Sequence, residues 1–116
     1  MPIRPSRALG ASVMVLLLLA ACGKKEEYPA EVQRVTYASC VQGFKAKAPA
    51  GIDKVDDKAK GYCQCVLDGL QSKVPLTDFQ RYEQLLISGA SGAERERLEK
   101  AVMTVVDACL KRLVSF

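Results

Sequence analysis

The 116-residue chain is long enough for one domain, and its 49% hydrophobic and 26% charged residues exclude a long disordered or collagen-like chain. A net charge of +4 is too weak to build the basic face that nucleic-acid binding needs. The complete lack of histidine removes the usual catalytic triads, most zinc sites and c-type haem attachment.

In chain order, the first element is an export signal over residues 1–21. Arg4 and Arg7 make a basic opening, residues 8–20 form an uncharged apolar run, and Ala20 and Ala21 precede Cys22. A basic opening, a short apolar run and small residues at the cut mark a secretory signal peptide. The run is shorter than the roughly 20 residues that cross a bilayer comfortably. Leu19-Ala20-Ala21-Cys22 resembles the lipobox of bacterial lipoproteins, in which small residues admit the extended backbone beside an acceptor cysteine. The resemblance implies diacylglycerol on the Cys22 sulfur, cleavage before Cys22 and acylation of the new amine. Two or three acyl chains, at roughly 0.8 kcal/mol per buried CH2, anchor stably where one is marginal. Cleavage removes Arg4 and Arg7 and no acidic residue, so the net charge falls by two.

Residues 22–30 read as a lipidated tether. Gly23 in place of aspartate favours the outer over the inner membrane under enterobacterium-like sorting. Lys24 and Lys25 stand beside the headgroups or in solvent. From Gly23 to Ala30 the tether reaches under about 30 Å, which keeps the domain close to its membrane.

Residues 31–116 read as the domain. The first helix is predicted from Pro29 to about Ala46, with Tyr37, Cys40, Val41 and Phe44 on one apolar face. Pro49 and Gly51 mark a loop. The second helix is predicted from Val55 or Asp56 to Lys73, capped by Asp53 or Asp56. Its buried face is read as Tyr62, Cys63, Val66, Leu67 and Leu70, continuing to Val74; Gly61 and Gly69 lie on the Cys65 side, where they admit a close helix or serve no purpose. Thr77 and Gln80 form a capping-box pattern for a third, shortest helix that ends near Ser88, with Phe79, Tyr82, Leu85 and Leu86 inward. Gly89 to Gly92 is a turn. Ser91 and Glu94 form a second capping box, and a fourth helix runs to about Val114 with Leu98, Ala101, Val102, Val105, Val106, Cys109 and Leu113 at helical spacing.

Five cysteines are an odd number for an exported chain. Lipid on Cys22 leaves Cys40, Cys63, Cys65 and Cys109 for two disulfides. Cys63 and Cys65 point about 200° apart on a helix, so each faces a different partner. The pairing Cys40–Cys65 with Cys63–Cys109 is favoured, because Cys63 shares a stripe with Leu67, Leu70 and Val74. The arrangement of Cys40, Tyr62-Cys63-Gln64-Cys65, Val74-Pro75-Leu76 and a late Cys109 resembles small helical exported proteins of proteobacteria with no assigned function. That resemblance implies a helical fold and no substrate.

The chemistry-bearing patterns are few. Asp56-Asp57 and the group Glu94, Glu96 and Glu99 sit at helix starts, where acidic residues complement the helix dipole. Arg95, Arg97, Lys100, Lys111 and Arg112 read as the solvated face of the last helix. The sequence thus predicts an all-α fold, a small bundle of about four helices stapled by two disulfides behind a cleaved lipoprotein signal peptide. The expected role is a non-enzymatic interaction or assembly module in the cell envelope. It is anchored through Cys22, faces the periplasm and binds another envelope protein, with no cofactor, metal or nucleic acid. The alternative is a thiol redox or copper-handling protein using Cys63-Gln64-Cys65; a lipid- or ligand-binding helical pocket is a third.

Overall fold

The computed structural model describes residues 26–113. The export signal, Cys22 and residues 23–25 lie outside the described residues, as do residues 114–116. Among the described residues the secondary structure is four α-helices and no strand: α1 (Ala30–Lys47), α2 (Val55–Lys73), α3 (Leu76–Ser88) and α4 (Ala93–Leu113). The all-α bundle stapled by two disulfides is therefore the fold, and α3, with 13 residues, is the shortest helix.

Charge placement agrees with the helix dipole at most ends: Glu31 opens α1 and Lys45 and Lys47 close it, Asp56 and Asp57 open α2, and Lys111 and Arg112 close α4. The caps differ from the sequence expectation. Neither Asp53 nor Asp56 caps α2. Lys54, in the left-handed region at φ 54°, occupies that position without a side-chain cap, and the Asp56 carboxylate pairs with Lys45 of α1 at 2.6 Å. Helix α3 starts at Leu76, ahead of Thr77, so the Thr77 capping box does not form. Pro75 has no side-chain acceptor, and the backbone N–H of Leu76 donates instead to the carboxylate of Glu26. Helix α4 starts at Ala93, which leaves Ser91 outside, and the Glu94 carboxylate is taken by Arg81 of α3 at 2.9 Å. Gly89 ends α3 at φ 71°, its N–H donating to the carbonyls of Leu85 and Leu86, as a left-handed terminator does.

Helix α2 is central. The pairs Cys40–Cys63 and Lys45–Asp56 set α1 antiparallel along one side of it. Cys65–Cys109 and the approach of Gly69 to Val105 set α4 antiparallel along another. A Cβ built on Gly69 meets the Val105 Cγ1 at 2.5 Å, so this glycine permits the close α2–α4 contact. Gly61 has open space beside it and serves no such approach. Helix α3 packs along the first half of α4, where Arg81 meets Glu94 and Arg97 comes within 3.9 Å of Asp78.

The core joins Tyr28, Val66, Leu70, Val74, Phe79, Val105 and Cys109, with Val32, Tyr62, Val102 and Val106 packed against it. Leu98 is 1% exposed and also inward, as its spacing predicts. Three inward expectations do not hold: Ala101 faces solvent, and Leu86 and Leu113 are each 44% exposed. The reason is the helix pairing. α4 is flanked by α2 along its second half and by α3 along its first, so its apolar stripe is covered unevenly.

Candidate functional site

The four cysteines of the domain form two bridges, Cys40–Cys63 and Cys65–Cys109. This corrects the favoured pairing of Cys40 with Cys65 and Cys63 with Cys109. The geometric premise holds, since Cys63 and Cys65 face different helices. The assignment of the helices was reversed. Cys63 looks to α1, while Cys65 lies on the same face as Gly69, one turn on, and that is the face α4 closes upon.

The bridges differ in environment. Cys63 is 1% exposed, whereas Cys65 is half-buried and receives a hydrogen bond from the Arg112 guanidinium at 3.4 Å. Beside Cys65–Cys109 runs an open groove of about 370 Å3 between α2 and α4, lined in part by Asp68, Gly69, Ser72, Thr104 and Arg112. Cys63 and Cys65 present no free thiolate while both bridges are closed, so soft-metal binding by this pair requires opening both. Among the described residues no group of three or more Cys, Asp or Glu side chains is placed to hold a metal ion.

The α4 cations are not uniformly solvated. Arg95 donates to the Ala90 carbonyl at 3.0 Å, Arg97 approaches Asp78, and Arg112 covers Cys65. Together they brace the α3–α4 turn and the second disulfide. Arg81 holds the Glu94 carboxyl below the usual carboxylate range, and Lys45 does the same for Asp56, in each case mainly through the hydrogen bond between them.

The most heavily engaged segment lies within the predicted tether. Tyr28 is 1% exposed. Its backbone N–H donates to the Gln71 Oε1 at 2.9 Å, and its hydroxyl donates to the carbonyls of Val74 at 2.7 Å and Leu70 at 3.2 Å. Leu70 lies in the last turn of α2 and Val74 is its C-cap; the Leu70 carbonyl also accepts the Val74 N–H at 2.8 Å, so Tyr28 adds a second donor there and supplies one to Val74. The ring stacks on Phe79 at 5.5 Å between centroids, and Gln33 Nε2 donates to the Tyr28 carbonyl at 2.7 Å. Burial, then the carboxylates of Glu26, Glu83 and Asp78, push the Tyr28 hydroxyl up to about 12. Glu26 adds two further ties: its N–H donates to the Gln71 carbonyl at 3.1 Å, and its carboxylate accepts from Leu76. The one sequence signal for this was an aromatic residue in an otherwise polar stretch immediately before Pro29.

The chain matches no family model, no characterised protein and no solved structure.

Proposed function

We propose that this chain is a bacterial envelope lipoprotein, held on a membrane by lipid on Cys22, whose helical domain is a non-enzymatic interaction or assembly module. The observation that carries the anchor is the sequence Leu19-Ala20-Ala21-Cys22 at the end of a short apolar run. Cysteine pairing supports it: with Cys40, Cys63, Cys65 and Cys109 bridged, Cys22 is the odd cysteine of five. The disulfides fit an oxidising compartment outside the cytoplasm. Gly23 favours the outer membrane, and the periplasm-facing domain takes another envelope protein as its partner.

The test is the intact mass of protein extracted from membranes and alkylated without reduction. The reading expects acyl chains on Cys22 and no alkylated thiol. Unmodified Cys22 on a protein cut elsewhere overturns the anchor. Crosslinking in intact envelopes tests the assembly role, which fails if no envelope protein is captured reproducibly.

A second reading is favoured by Arg112. A guanidinium 3.4 Å from the Cys65 sulfur stabilises a thiolate there, which suits a thiol redox role carried by Cys65–Cys109. Equilibration in glutathione buffers tests it. A bridge that opens only at strongly reducing potentials removes the redox role.

A further inference from the structure

Glu26 is fixed to the domain at both ends of the α2–α3 corner. Its N–H is bonded to the Gln71 carbonyl of α2, and its carboxylate accepts the Leu76 N–H that opens α3. Two residues on, Tyr28 is locked into the core by its hydroxyl, its N–H and its ring. Only Gly23, Lys24 and Lys25 separate Glu26 from Cys22. Four steps along the backbone span at most about 14 Å. Helix α2 has 19 residues, so its two ends lie about 28 Å apart. The end beside Glu26 carries Lys73, and the far end leads into the loop with Asp53.

We propose that the α2–α3 corner formed by Glu26 and residues 72–75 is the membrane-facing surface of the domain, and that its partner is the headgroup layer of the bilayer that holds the Cys22 lipid. The proposal rests on the lipid-anchor reading. A tether about half the length of α2 holds this corner near the headgroups, whereas the Asp53 end, a helix length away, is under no such constraint. In the sequence the three cations Lys24, Lys25 and Lys73 are offset in number by the three carboxylates Glu26, Glu27 and Asp78, so the contact is set by the tether rather than by anionic lipid.

The chain contains no tryptophan, so one introduced tryptophan reports its own position. The full-length lipidated protein carrying Lys73→Trp or Asp53→Trp is placed in neutral phosphatidylcholine vesicles containing a lipid with a nitroxide on its headgroup. Both positions are exposed, and circular dichroism with a thiol count verifies that each variant is folded and bridged. Fluorescence of the Lys73→Trp variant is expected to be quenched several-fold more than that of the Asp53→Trp variant, with little change in high salt. A flexible Gly/Ser segment inserted between Lys25 and Glu26 is expected to remove the difference. Equal quenching at native tether length, or stronger quenching at position 53, in protein that floats with the vesicles overturns the orientation and leaves the anchor standing. Protein that carries no lipid and does not float overturns both.

Discussion

The hydroxyl of Tyr28 donates to the carbonyl of Val74 at 2.7 Å, joining the segment ahead of α1 to the end of α2 across 46 residues. The contact supplies a donor to the C-cap carbonyl of α2, beside the Val74 N–H bond to Leu70, and seats an aromatic ring on Phe79. Tyr28→Phe keeps the ring and loses the donor. It is expected to lower stability by about 1–2 kcal/mol in urea unfolding, because the Leu70 and Val74 carbonyls lose a buried partner. Tyr28→Ala removes the ring as well and is expected to cost about 3–5 kcal/mol.

The same residue gives the domain an alkaline limit. Its folded pKa lies above the ordinary value of 10.0, near 12, because burial and nearby carboxylates oppose the phenolate. A raised folded pKa contributes stability that is fully present below the unfolded value and is lost as pH rises through the folded one. Stability is therefore expected to fall between about pH 10 and pH 12. Tyr28→Phe should flatten that fall relative to wild type, which paired urea titrations at each pH measure.

Glu26 caps α3 from outside, where Pro75 has nothing to offer. Glu26→Ala is expected to cost about 1 kcal/mol, in the range of a lost N-terminal cap. Hydrogen exchange should speed up at the Leu76 amide well before it does in the centre of α2. Unchanged protection at Leu76 would show that the cap does not hold this end.

Two glycines of α2 should respond in opposite senses. Gly69→Ala drives a methyl group against Val105 and is expected to destabilise by about 1–3 kcal/mol, with partial recovery in the double variant with Val105→Ala. Gly61→Ala meets open space and is expected to stabilise by up to about 1 kcal/mol through helix propensity. Thermal unfolding of the four proteins reads all of these effects.

The disulfide pairing is checked by orphaning one sulfur. In Cys40→Ala the free thiol is expected at Cys63, and in Cys109→Ala at Cys65. Maleimide labelling in denaturant at mildly acidic pH, where thiol–disulfide exchange is slow, locates it by fragment mass. Label on Cys65 in the first variant would restore the crossed pairing. Removing Cys65–Cys109, which spans 44 residues, is expected to cost about 4 kcal/mol, and removing Cys40–Cys63, which spans 23, slightly less.

The sequence by itself determined the four helices, because apolar spacing, Pro49, Pro75 and Gly89 are local signals that each segment carries alone. It also determined that Cys63 and Cys65 have different partners, since residues two apart on a helix do not share a face. It did not determine which partner each takes. That depends on which side of α2 each neighbour occupies, a choice made when Gly69 admits Val105 of α4 and leaves Cys63 to α1. The role of Tyr28 was decided the same way. Its acceptors lie 42 and 46 residues along the chain, and at the starts of α2 and α3 Asp56 pairs with Lys45 of α1 and the Leu76 N–H is taken by Glu26. Local periodicity sets what a segment becomes; only tertiary packing sets which groups meet across the folded chain, because those contacts join residues that sequence spacing does not relate.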